Sequence, residues 1–66
     1  MKLRIKEKRE QSGMTQEEVA QACEITAGSY GHYETGIRTP TPYILKKIAD
    51  VFECKVDDLI ETEDPK

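Results

Sequence analysis

Apolar positions recur three and four residues apart along most of the chain, and that spacing predicts helices. The widest stripe is Ile44, Leu45, Ile48, Ala49 and Phe52, on a helix that opens with Thr41 as cap and Pro42 as first helical residue. Thr15-Gln16-Glu17-Glu18 supplies the hydroxyl and the carboxylate of a capping box. It starts a helix running to about Cys23, with Val19, Ala20 and Cys23 on one face. Ahead of it, residues 2–12 are strong helix formers with a thin apolar face of Met1 and Ile5, closed by Gly13 as a left-handed cap. Thr26 caps a further helix that keeps Tyr30 and Tyr33 on one side and stops at Gly36. After Glu53-Cys54-Lys55, a short last helix carries Val56, Leu59 and Ile60, with Asp57 and Asp58 in the first turn, where the helix dipole favours them. No stretch alternates as a strand would.

The pattern therefore predicts an all-α fold of five helices. At 66 residues the chain holds one domain, with a small core and no room for a deep enzymatic cleft. The expected domain spans residues 1–60. The acidic tail 61–66, polar and containing Pro65, is expected to fray.

Charge sharpens the picture through its distribution. The net charge of −3 argues against a nucleic-acid partner only if it is spread evenly. Residues 1–24 carry five basic and five acidic groups. Residues 25–47 carry Arg38, Lys46 and Lys47 against Glu34, and residues 48–66 carry seven acids against Lys55 and Lys66. The acidity sits in the last third, and the middle of the chain is mildly basic.

Other chemistry is sparse. No apolar run approaches the ~20 residues of a membrane span, and the start of the chain has no signal-peptide core. A cytoplasmic protein with no membrane partner is expected. Cys23 and Cys54 are single and far apart, so reduced thiols are expected. One histidine and no Cys-x-x-Cys give no metal site, and no cofactor is implied. An enzyme is not expected either: there is no Ser-His-Asp set, no phosphate-cradling glycine loop and no carboxylate cluster with a partner.

Only Glu24, Ile25 and Thr26 separate the second and third helices, which must cross steeply, and two short helices so joined form a helix-turn-helix unit. Gly13-Met14-Thr15-Gln16-Glu17-Glu18-Val19-Ala20, Ile25-Thr26, Tyr33-Glu34-Thr35-Gly36 with Arg38 and Pro40, and Ile48-Ala49 with Phe52, Val56 and Leu59 carry a further signal. In these pieces the chain resembles the family of the lambda and 434 repressors and Cro, the XRE family, over roughly residues 5–60. The resemblance implies a five-helix lambda-repressor-like fold and a transcriptional regulator, in particular a repressor, that binds double-stranded DNA.

By position, the resemblance places the helix of residues 27–35 in the major groove, with Ala27, Gly28, Ser29 and His32 at base edges. Gln16, first residue of the second helix, falls at the DNA backbone, with Arg38, Thr39 and Thr41 gripping phosphates from the following loop. Lys46 and Lys47 read more simply as a solvated face. Arg9 and Glu34 match a pair that in 434-type repressors forms a partly buried salt bridge. The family commonly pairs as a homodimer, here through Pro42, Tyr43, Val56, Leu59 and Ile60, on a palindromic operator; Val56 and Leu59 also suit the monomer core. No small-molecule ligand is expected.

The recognition helix departs from its relatives. Family members usually place Gln, Arg, Asn or Ser where Ala27, Gly28 and Gly31 stand. A bidentate base contact discriminates by ~1–3 kcal/mol, which glycine cannot supply. Three readings stay open: close backbone approach with Ser29 and His32 hydrogen-bonding, readout of DNA shape, or a surface that has left DNA for a protein partner, as in an antitoxin or anti-repressor. Two smaller departures are Glu24, where a turn glycine is frequent and a left-handed residue carries ~1 kcal/mol of strain, and Lys8, at a position often apolar.

Overall fold

The computed structural model describes residues 2–61. It has five helices: α1 (Ile5–Ser12), α2 (Gln16–Ala22), α3 (Ala27–Thr35), α4 (Pro42–Val51) and α5 (Val56–Leu59). Local chemistry sets their ends. Thr15 Oγ1 accepts from the Glu18 N–H and the Thr15 N–H donates back to Glu18 Oε1 at 2.8 Å, closing the capping box of α2. Thr26 and Thr41 cap α3 and α4 by accepting from the N–H groups of Ser29 and Ile44. Gly13 and Gly36 end α1 and α3 at φ 71° and 86°, where a Cβ would be strained. Asp58 accepts from the Lys55 N–H and closes the start of α5.

The helices bury one core of Ile5, Val19, Ala20, Cys23, Tyr30, Leu45, Ile48, Ala49 and Leu59. Every helix contributes at least one member, so each is held mainly by its apolar face rather than by its own hydrogen bonds. α2 packs most extensively on α3 and also meets α4, which in turn packs on α5. Ile5 is the single buried side chain of α1, matching the thin apolar face of that helix.

Two expectations need correction. A strand pair exists: β1 (Lys2–Leu3) pairs antiparallel with β2 (Ile60–Glu61), Lys2 opposite Glu61 and Leu3 opposite Ile60, and the Arg4 N–H donates to the Leu59 carbonyl. Residues 2–4 thus precede α1 rather than forming its first turn, and Glu61 belongs to this ladder rather than to a frayed tail. The remaining tail residues, 62–66, lie outside the described residues. Leu59 is fully buried in the chain's own core, because the ladder and α4 close over it, so it faces its own chain and not a second copy. Ala27, by contrast, is half-buried and packs against the core.

Glu24 does adopt the left-handed conformation, at φ 62°, and Glu53 after α4 does so at φ 55°. Cys23 and Cys54 are both free thiols, and burial pushes the Cys23 thiol above its ordinary range.

Candidate nucleic-acid interface

α3 is buried along one side and open along the other. Tyr30 is enclosed and Tyr33 packs against the core, whereas Gly28, His32 and Thr35 are exposed. A Cβ added at Gly28 would meet nothing, so the outer face near the start of α3 is bare backbone. Ser29 is half-buried, and its hydroxyl accepts from Thr26 Oγ1 at 2.9 Å. That bond leaves the Ser29 proton free to donate. His32 is exposed, and its carbonyl gathers the N–H groups of Gly36 and Arg38 at 3.0 and 3.3 Å. The end of α3 therefore fixes the backbone at Arg38, whose side chain is exposed. Thr39 is exposed as well, and the buried Pro40 anchors the loop behind it.

Glu34 organises the inner edge of this surface. Arg9 Nε on α1 donates to Glu34 Oε2 at 2.7 Å, and Gln16 Nε2 on α2 donates to Glu34 Oε1 at 2.9 Å. Arg9 Nη1 also donates to the Met14 carbonyl at 3.0 Å. The Glu34 side chain is 2% exposed and that of Arg9 is 15% exposed. Burial pushes the Glu34 carboxyl upward, but the hydrogen bonds from Arg9 and Gln16 outweigh it and hold the group below its ordinary range. The same contact raises the Arg9 guanidinium. Tyr30 stands next to this pair and donates toward the Ile5 carbonyl at a long 3.4 Å. Burial, and then the Glu34 carboxylate, raise its phenol. Arg9 and Glu34 are thus brought together, and with them three helices: α1, α2 and α3.

The lysines of α4 are engaged elsewhere. Lys46 pairs with Asp50 at 3.1 Å on the exposed face of α4, a contact of little energetic weight. Lys47 pairs with Glu24 at 2.9 Å and lies 5.1 Å from the ring centre of Tyr43. The Glu24 carboxylate first, and then the Tyr43 hydroxyl, raise Lys47, and Lys47 lowers Glu24. Thr41 is exposed, but its oxygen already accepts in the α4 cap, so a phosphate would meet only its proton.

The bipartite α2–α3 unit, its outward α3 and its Arg9–Glu34 buttress can be set beside known proteins. The model of the helix-turn-helix family matches residues 5–59. The chain belongs to this helix-turn-helix family. Its branch is that of the lambda and 434 repressors and Cro, a group of DNA-binding regulators. A relative from Archaeoglobus fulgidus, described as an uncharacterised HTH-type transcriptional regulator, is 36% identical over 64 residues. The match covers 97% of this chain and 91% of that protein.

Within the helix-turn-helix fold, the residues expected at a dimer contact, apart from the enclosed Leu59, separate into two groups. Pro42 and Tyr43 are exposed, Tyr43 by 68%, while Val56 and Ile60 are half-buried against the core. Ile37 is 70% exposed and was not singled out from sequence. Its flanking position between Gly36 and Arg38 gives no periodic signal that would have found it. The Gln16–Glu34 bond was missed too: it joins residues 18 apart on different helices, and only the packing of α2 on α3 brings them together.

Proposed function

We propose that this helix-turn-helix protein is a DNA-binding transcriptional regulator, acting as a repressor, that places α3 in the major groove of a duplex operator. The exposed face of α3, flanked by Gln16 and Arg38, is the observation that carries this reading. The carboxylate of Glu34, the acid on this helix, is turned inward and neutralised by Arg9, so α3 presents no negative side chain to a phosphate backbone. Gln16, Arg38, Thr39 and Thr41 meet phosphates. Ser29 and His32 offer hydrogen-bonding groups to base edges. Gly28 lets the backbone approach closely, and Ala27 contributes the exposed part of its methyl.

The protein acts as a homodimer on a palindromic site, since one module of this size covers only about half a site. Exposed Ile37 and Tyr43, with Pro42, provide apolar surface for that pairing. The bare face at Gly28 favours one second reading, a module of the same fold that binds protein instead of DNA. Salt dependence separates the two. With duplex DNA from its own promoter region, a regulator using ~6–10 phosphates loses ~10³–10⁵ in affinity between 50 and 200 mM salt. No binding at 50 mM would favour the protein-binding module.

A further inference from the structure

Glu34 has two carboxylate oxygens and spends them on different helices. Oε2 takes Arg9 at 2.7 Å, and Oε1 takes the Gln16 amide at 2.9 Å. The carboxylate has little freedom to swing, because it is nearly enclosed and Arg9 is itself tied to the Met14 carbonyl at 3.0 Å. The second feature is Gly31. A Cβ built there would stand 3.8 Å from both Nε2 and Oε1 of Gln16, so the amide lies across the bare backbone of α3 at that point. Gln16 is otherwise an exposed residue in the first turn of α2 with a long, freely rotating side chain.

We propose that Glu34 is a positioning residue for DNA contact: its Oε1 moors the Gln16 amide across Gly31, fixing a DNA-facing donor before any duplex arrives. This rests on the DNA-binding reading above and adds to it the group that sets Gln16. The mooring uses one N–H of Nε2 and leaves the other N–H and Oε1 for DNA. Immobilising a long side chain on binding typically weakens a contact by up to about ten-fold, and a tethered amide avoids much of that loss. Glu34 therefore has a part in binding that is separate from its ion pair with Arg9.

Two measurements test this. In the free wild-type protein, nuclear Overhauser contacts between the Gln16 side-chain amide protons and the Gly31 Hα protons are expected; their absence overturns the proposal with no DNA present. The second is a double-mutant cycle on duplex affinity at 50 mM salt and low temperature, with folding followed by circular dichroism. A carboxamide has one carbonyl oxygen, which Arg9 takes, so Glu34→Gln removes the acceptor of the Gln16 N–H and turns a donor toward it instead. Gln16→Ala is expected to weaken binding about ten-fold, the weight of one hydrogen bond to a charged group. Glu34→Gln should weaken it several-fold, and the double variant no more than Gln16→Ala alone. If the two losses multiply, Glu34 acts through helix orientation alone and the proposal fails. Failure of the wild-type protein to bind DNA removes the regulator reading instead, while the Overhauser contacts still decide the mooring.

Discussion

Replacing Glu34 by alanine tests the packing logic of the whole domain. The substitution leaves the Arg9 guanidinium, 15% exposed, with the Met14 carbonyl as its remaining partner. Breaking a buried pair by removing one member costs ~3–5 kcal/mol, because the other charge stays desolvated. The residual exposure of Arg9 and its backbone bond place this case at the low end, about 3 kcal/mol. Gln16 adds little, since its amide is exposed and water replaces the lost acceptor. A domain of this size has a total stability of roughly 3–10 kcal/mol, so the loss is a large share of it. At roughly 4–8 °C per kcal/mol for small domains, the melting temperature should fall by about 12–24 °C at pH 7. Circular dichroism melts of both proteins measure this directly. The sign with pH is fixed as well. The folded-state pKa of Glu34 lies below the ordinary 4.5, so its contribution is present above that value and is lost as pH falls through the folded one. The gap between wild type and Glu34→Ala should therefore be full at pH 6 and narrow below pH 4.5. The paired change Arg9→Met with Glu34→Leu should recover most of the loss, as apolar replacement of a whole buried pair usually does. A Glu34→Ala protein melting within two or three degrees of wild type, by the same scale of ~4–8 °C per kcal/mol, would refute the reasoning.

Three further outcomes are expected. Arg38→Ala should weaken duplex binding to a similar degree on every sequence and lower the salt slope by about 1, measured by fluorescence anisotropy across a salt series; a loss confined to one sequence would contradict a phosphate role. Gly31→Ala should stabilise α3 by about 1 kcal/mol in urea titrations, since the new methyl meets Gln16 at an ordinary 3.8 Å and alanine is the better helix former; a destabilised variant would show that the space is not there. Glu53→Gly should raise stability by about 0.5–1 kcal/mol, because an exposed side chain at φ 55° is strained and glycine is not, and a lowered melting temperature would count against that strain.

What the sequence makes legible here is local. A capping hydroxyl acts within three residues, so Thr15 with Glu18, Thr26, and Thr41 with Pro42 mark their helices before any packing is known. Gly13 and Gly36 mark the ends for an equally local reason. The apolar stripe of α4 is long enough to show its period, and its inward residues Leu45, Ile48 and Ala49 are buried. α5 is four residues long, too short for a period to show which way Leu59 faces. The strand pair is shorter still, two residues on each side, and nothing in Lys2-Leu3 or Ile60-Glu61 alternates over enough length to be seen. Glu53 gives no sign of its left-handed backbone, because neither its neighbours nor a glycine announce it. Around α3, the division into inner tyrosines and outer Gly28 and His32 is readable from helical spacing. The link from Glu34 to Gln16 is not, since it depends on how two helices lie against each other.

The small ladder at the ends of the fold has a mechanical consequence. Lys2 faces Glu61 and Leu3 faces Ile60 in antiparallel register, so the two strands leave the domain on the same side. A pull that separates them loads the outermost pair first and then the next, like opening a zip, instead of shearing all the bonds together. The Arg4 bond to the Leu59 carbonyl is next in line, and behind it Ile5 and Leu59 lie in the core. Tension on both ends should thus peel the clasp at low force and pull α1 and α5 away first, with the α2–α3 unit giving way last.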